Sequence, residues 1–203
     1  MTDLDIQHHA SLRERKKART RASIREHALR LFREQGYDAT TVEQIAAAAE
    51  VSPSTFFRYF PTKEDVILRD DFDDRVFEAF GRQPASLTPI AAIRGALREA
   101  IATFTPAEWE ELQQASVLSM TVPDLRARAL DELSRTIDVM ADALAKRTDR
   151  SPDDLAVRTY VGAVFGVMIS ILSPHAWSGG DIGTQTFDRI DEALALLEDG
   201  LPL

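Results

Sequence analysis

Apolar residues recur at helical spacing along most of the chain, and no segment keeps the apolar–polar alternation of a half-buried strand. Ile24, Ala28, Leu31 and Phe32 share one helical face, and Gly36 supplies a left-handed stop after it. Thr40 and Glu43 have capping-box spacing and open a short helix on Val42, Ile45, Ala46 and Ala49. Ser52-Pro53 sets a capping hydroxyl before a proline at the first helical position. That helix runs to about Tyr59 and is closed by Pro61, and Thr62-Lys63-Glu64-Asp65 starts another that continues to about Phe80. Further starts stand at Thr88-Pro89, Thr105-Pro106 with Glu108, Pro123-Asp124, and Ser151-Pro152 followed by two acids. Three apolar stripes follow: Ile90, Ile93, Leu97, Ile101 and Phe104; Leu130, Leu133, Ile137, Met140 and Leu144; and Phe187, Ile190, Leu194 and Leu197. The pattern predicts an all-α protein of about nine helices, with a last loop at Gly179-Gly180.

Charge changes this picture at one end only. The 203 residues carry 24 basic and 33 acidic side chains, a net charge of −9. Residues 11–25 nevertheless hold seven basic groups (Arg13, Arg15, Lys16, Lys17, Arg19, Arg21, Arg25) against one acid, Glu14. A basic head on an acidic body is the balance expected when one end meets a polyanion, although a charge run can also be a solvated helix face. The absence of cysteine excludes disulfides, thiol catalysis and iron–sulfur clusters. The longest uncharged apolar run, Tyr160–Trp177, contains Pro174 and His175 and falls short of the roughly 20 residues of a membrane span. No apolar signal core precedes residue 17, so a cytoplasmic protein without a membrane partner is expected.

The chemistry concentrates at 40–60. Two short helices joined by a tight turn at Glu50-Val51-Ser52 make a helix-turn-helix unit, the alanine-rich first helix allowing close packing. Phe56 faces inward, while Pro53, Ser54, Phe57 and Arg58 face outward. Arginine can read guanine bidentately, and hydroxyls at helix starts can hold phosphates.

The segment LFREQGYDATTVEQIAAAAEVSPSTFFRYFPTKEDVI resembles the DNA-binding domain of the tetracycline-repressor (TetR) family of transcriptional regulators. The likeness lies in Gly36-Tyr37, Thr40-Thr41, Ile45-Ala46, Val51-Ser52, Thr55-Phe56, Tyr59-Phe60 and Lys63-Glu64, and spans about residues 13–70. It implies a DNA-binding domain of three helices over 11–60 and, through a fourth linking helix, an effector-binding and dimerisation domain over 61–203. It also implies that Thr41, beside Val42, touches a phosphate, that Pro53, Ser54, Thr55, Phe57 and Arg58 face the major groove, that Tyr59 lies against the DNA backbone, and that Lys63 clamps a phosphate. Arg15, Lys16, Lys17 and Arg19 form the basic arm. Two positions depart from the family: Ser54 replaces its usual glycine, and Phe57 its usual tyrosine, so the contact of Phe57 is apolar, with a thymine methyl as one partner.

From about Met120 the chain also resembles the regulatory domain of the mycofactocin-type branch, in VPDLRARAL, ALAKRTDRSPDDLAVR, Trp177-x-Gly-Gly and DEALALLEDGL. That branch is associated with fatty acyl-coenzyme A effectors. The residues themselves point to two features. Helix Tyr160–Leu172 is apolar all round, and Gly162, Gly166 and Ser170 form a small-residue strip beside the Phe187–Leu197 stripe, which suits a four-helix bundle in a homodimer. Phe104, Trp109, Leu112, Met120, Met140, Phe165, Met168 and Trp177 are the candidate lining of an effector pocket, although single members of that set are as readily plain core. Arg126 and Arg128 are candidates for an anionic effector group, and His175 reads as a cap or surface residue. No catalytic motif, metal site or cofactor signature is found. The reading is a one-component repressor that binds a pseudo-palindromic double-stranded operator as a homodimer and is released by a small apolar effector. An effector-independent architectural DNA-binding protein and a small all-α enzyme are the alternatives.

Overall fold

The computed structural model describes residues 3–69, 72–178 and 183–202, with side-chain surroundings for 12, 13, 15–69, 72–172 and 183–202. The described residues form ten helices and no strand: α1 Asp3–Gln35, α2 Val42–Ala48, α3 Pro53–Tyr59, α4 Asp65–Leu68, α5 Phe72–Arg82, α6 Pro89–Ile101, α7 Pro106–Thr121, α8 Pro123–Thr148, α9 Leu155–Ser178 and α10 Thr184–Glu198. They belong to two compact units, residues 1–69 and 70–203. Residues 61–69, expected in the second domain, thus belong with the first, where α4 packs on α1 and buries Val66 and Ile67.

In the first unit, α1 buries Ile24, Ala28, Leu29 and Phe32, with Leu31 only half-buried. Gly36 ends it at φ +88°, its N–H donating to Phe32 O. The capping box of α2 lies one residue beyond the expected Thr40–Glu43 pair. Thr41 is the cap, and Gln44 returns its side chain to the Thr41 N–H. Thr40 is buried instead, donating to Gly36 O and accepting from Gln35. The helix expected from 62 to 80 is divided into α4 and α5, with Arg69 extended after the first.

In the second unit, α5, α6, α8, α9 and α10 share one core built on Phe80, Ile93, Leu97, Met140, Leu144, Val161, Phe165, Ile190 and Leu194. Thr88 and Thr105 cap α6 and α7 as expected, the latter with its full box to Glu108. The start of α9 is shifted: Ser151 accepts from Asp153 N in a turn, and Asp154 accepts from Ala156 N at the helix start. Leu130 departs from its stripe and is 62% exposed. Gly95 sits under the end of the Gln83 side chain, which would have to shift for a Cβ there, the Oε1 standing 2.5 Å away. Asp70-Asp71, Gly179-Gly180 and the side chains of His175 and Trp177 lie outside the described residues.

Candidate functional site

The turn between α2 and α3 is set by backbone chemistry. Glu50 takes the left-handed conformation at φ 55°, its N–H donating to Ala47 O, and Val51 N–H returns to Ala46 O. That pair of bonds is a Schellman closure, and it reverses the chain within three residues. Ser52 then caps α3 by accepting from Thr55 N–H at 3.1 Å, with Pro53 at the first helical position. Seven residues cannot hold a helix in water alone. Phe56, fully buried against Phe60, anchors α3 to the unit.

The outward face of α3 carries Pro53, Ser54, Phe57 and Arg58, all exposed, as the periodicity predicts. Thr55 and Tyr59 are half-buried, and Thr41 is exposed beside half-buried Val42. Beside α3 runs an open groove of about 630 Å³ lined by Arg13, Lys16, Lys17, Thr20, Val51, Thr55, Arg58 and Tyr59. Residues 13, 16, 17 and 20 fall on one face of α1 by helical spacing. Among the described residues, four cations and three hydroxyls therefore line this groove, and no carboxylate does. Arg58 lies over the Tyr59 ring at 5.3 Å and is turned toward this groove. Sequence reasoning missed Arg13, Thr20 and Val51 as lining residues; the i, i+3, i+4, i+7 spacing from Arg13 was the available signal. Arg15 and Arg19 are exposed but do not line it.

Lys63, which the resemblance assigns to a phosphate, is also engaged inside the unit. Its ammonium donates to Tyr37 O at 3.0 Å and Thr40 O at 3.1 Å, and sits 3.9 Å over the Tyr37 ring. Tyr37 in turn donates its hydroxyl to Glu64. The lysine thus holds the loop that delivers Thr41 to the start of α2. Two arginines hold the other end of this segment. Arg25, buried, donates to the carbonyls of Val66 and Arg69, and Arg21 donates to Arg69 O while covering the Phe60 ring. These bonds occupy the carbonyls that end α4 and account for the break in the expected 62–80 helix.

In the second unit, α9 has a strip left uncovered by the described residues. Gly162, Gly166, Ile169 and Ser170 are exposed, and a Cβ added at either glycine would meet nothing within 4 Å. Its Leu155–Leu172 window has a mean hydropathy of 1.9 and is only 22% buried, long and apolar enough to cross a membrane by length and composition. Of the candidate effector residues, Met140 and Phe165 are buried core, and Leu112, Met120 and Met168 are half-buried against it. Phe104 and Trp109 meet at 4.9 Å with tilted rings, Phe72 stacks on Phe104, and Phe187 completes an aromatic quartet. Phe72 and Phe187 were not expected there. Arg75 lies over Phe104 and pairs with Glu108. Partial burial pushes the Glu108 carboxyl up, but the Thr105 backbone N–H and Arg75 outweigh it and leave it below the ordinary value. At the α6–α10 contact, Arg94 and Arg98 bracket Asp191, and Arg94 also reaches Glu198. Arg94 holds the Asp191 carboxyl below the usual range against partial burial, with help from Arg98. Among the described residues no group of three His, Asp or Glu side chains is placed to hold a metal ion.

Comparison with known proteins places this geometry. Residues 24–69 match the family model of tetR-family bacterial regulatory proteins, and residues 87–202, more than half the chain, match the MftR C-terminal domain. The transcriptional regulator TcmR of Streptomyces glaucescens is 36% identical over 169 residues, covering 80% of this chain and 75% of TcmR. MftR of Mycobacterium tuberculosis is 26% identical over 165 residues, covering 80% and 82% of the two chains. Among solved structures, the TetR-family repressor FadR of Thermus thermophilus, in complex with lauroyl-CoA, shares the fold with a TM-score of 0.54 at 23% identity, over 90% of this chain and 95% of FadR. The family consists of transcriptional regulators and not enzymes, which sets the enzyme reading aside. The chain is a member of the TetR family of bacterial transcriptional regulators, with a DNA-binding helix-turn-helix in its first unit and an MftR-type regulatory domain in its second.

Proposed function

We propose that this regulator is a cytoplasmic repressor that binds a pseudo-palindromic operator as a homodimer and leaves it when a small apolar effector binds. The observation that carries the reading is the exposed face of α3 beside a groove lined by four cations, with no carboxylate among the described residues that line it. Pro53, Ser54, Thr55 and Phe57 meet the major groove, while Arg58, Lys16 and Lys17 take phosphates and Arg15, Arg19, Thr41 and Val42 border the contact. Neutralising phosphates makes such binding steeply salt-dependent. A body that brings the chain to −9 opposes dense coating of DNA and so disfavours the architectural alternative.

The uncovered strip of α9 supports a dimer through α9 and α10, because a bare apolar helix face beside small residues suits close helix packing. The effector site is assigned to Phe104, Trp109, Leu112, Met120, Met140, Phe165, Met168 and Trp177. Flexible methionines and loosely covered aromatic rings can repack around a ligand. Fatty acyl-CoA is the first class to test, supported by the MftR-type domain and by the fold shared with a repressor that holds lauroyl-CoA. Release requires the effector to favour the DNA-free state, each tenfold preference being about 1.4 kcal/mol.

The test is selection of genomic fragments by the full chain, then titration of the selected duplex against a scrambled one with lauroyl-CoA, planar aromatics and cationic drugs. A discrete palindrome released by an acyl-CoA is the expected result. Binding without sequence preference overturns the operator reading. Operator binding unaffected by any of the three classes overturns the effector reading.

A further inference from the structure

The resemblance leads to the expectation that Arg58 reads a base, but the structure turns its guanidinium over Tyr59 and into the groove with Arg13, Lys16 and Lys17. That placement suits phosphate. Ser54 Oγ is hydrogen-bonded to Ser52 Oγ at 2.9 Å. The large side chain left on the outward face of α3 is Phe57, 49% exposed. A phenyl ring has no donor or acceptor with which to read hydrogen-bonding edges. In the major groove the apolar mark is the C5 methyl of thymine.

The ring is also held ready. It stands edge-on to Phe56 with centroids 5.5 Å apart and planes at 89°, and Phe56 is fully buried. A side chain fixed in advance loses little freedom on binding. We infer that Phe57 is a specificity-determining residue that recognises one thymine methyl per operator half-site, while Arg58 serves the phosphates. The inference rests on the operator-binding reading above.

Deoxyuridine tests it, because it removes only the methyl. Each thymine of the selected operator is replaced in turn, symmetrically in both half-sites, and the duplexes are titrated with the wild type, Phe57→Ala, Phe57→Leu and Arg58→Ala proteins. At one position the wild type should lose about fourfold per half-site, the equivalent of ~0.8 kcal/mol for one buried methyl group. Phe57→Ala should show no further loss there, and Phe57→Leu, still apolar, should keep part of the sensitivity. Arg58→Ala should weaken operator and scrambled DNA alike and flatten the salt slope by about one unit. Thermal melts confirm that the variants fold. A uridine scan in which Phe57→Ala and wild type respond alike at every thymine overturns the inference and leaves operator binding standing. So does loss of operator preference in Arg58→Ala with none in Phe57→Ala. Failure to select any fragment overturns the operator reading and this inference together.

Discussion

In the first unit, three of the four helices have seven residues or fewer, and cationic side chains reach across to backbone carbonyls to hold them. Arg25 takes Val66 O and Arg69 O, Arg21 takes Arg69 O, and Lys63 takes Tyr37 O and Thr40 O. In the second unit the helices run from 11 to 26 residues and meet through Val, Ile, Leu, Phe and Ala. Its ion pairs, such as Arg82–Glu99 and Arg94–Asp191, lie at the rim. The difference is one of degree, since Arg147 in the second unit also donates to Gln83 O, Pro84 O and Leu87 O, and it follows from helix length. A short helix ends before it can bury a long apolar face, and its unpaired carbonyls are a large share of its backbone. Charge-assisted hydrogen bonds then replace area.

The largest expected effect breaks the first unit. Arg25→Ala takes the guanidinium from Val66 O and leaves Arg69 O with Arg21 alone, and should cost about 2–4 kcal/mol, read by chemical denaturation of the full chain. A loss under 1 kcal/mol would show that apolar burial by Val66 and Ile67 suffices there. Gly166→Leu probes the opposite property of the second unit. Among the described residues, nothing lies within 4 Å of a Cβ added at this position. At a close helix interface it should cost about 1–3 kcal/mol and shift dimer to monomer by sedimentation, with the monomer still folded. An unchanged dimer places the interface elsewhere.

Lys63→Met sharpens the comparison. It should destabilise the unit by about 1.5–3 kcal/mol and weaken all DNA without changing the salt slope, because the ammonium serves carbonyls. A slope reduced by about one unit would return Lys63 to a phosphate. The smallest effect is at the rim. The folded-state pKa of Asp191 is depressed, so its contribution is present above the ordinary aspartate value and disappears as pH falls through the lowered one. Asp191→Asn should therefore cost about 1 kcal/mol at pH 7, and the gap to wild type should close in acid, by urea midpoints across pH. A gap constant with pH would mean that the charge of Asp191 contributes nothing.

Much of this was legible because helix starts are local events. Ser52, Thr88 and Thr105 each act within three residues of themselves, and the sequence shows both partners. The box at α2 slipped by one because Thr40 and Thr41 both fit its chemistry, and burial of Thr40 decided between them. The break after α4 was invisible because its causes, Arg21 and Arg25, lie 48 and 44 positions upstream of Arg69. The committed ammonium of Lys63 was hidden in the same way, its acceptors being 26 and 23 positions away. The aromatic quartet draws on α5, the loop before α7, α7 and α10, so helical periodicity within any single element could not assemble it.

Helix α1 continues without interruption from its packed half into the basic arm. Ile24 to Phe32 supply a nucleus, so each further residue toward Arg13 needs only propagation, about 1.5 Å of reach at a time. The arm therefore extends roughly 18 Å from Arg25 with its cations in fixed register. Arg13, Lys16, Lys17 and Thr20 on one face place like charges one helical turn apart, a self-repulsion of about 0.2–0.5 kcal/mol per neighbouring pair. A polyanion laid along that face would relieve it. The arm is then firmer on its partner than alone, and dilute salt, which leaves the repulsion unscreened, is where amide exchange along 13–20 should respond most to DNA.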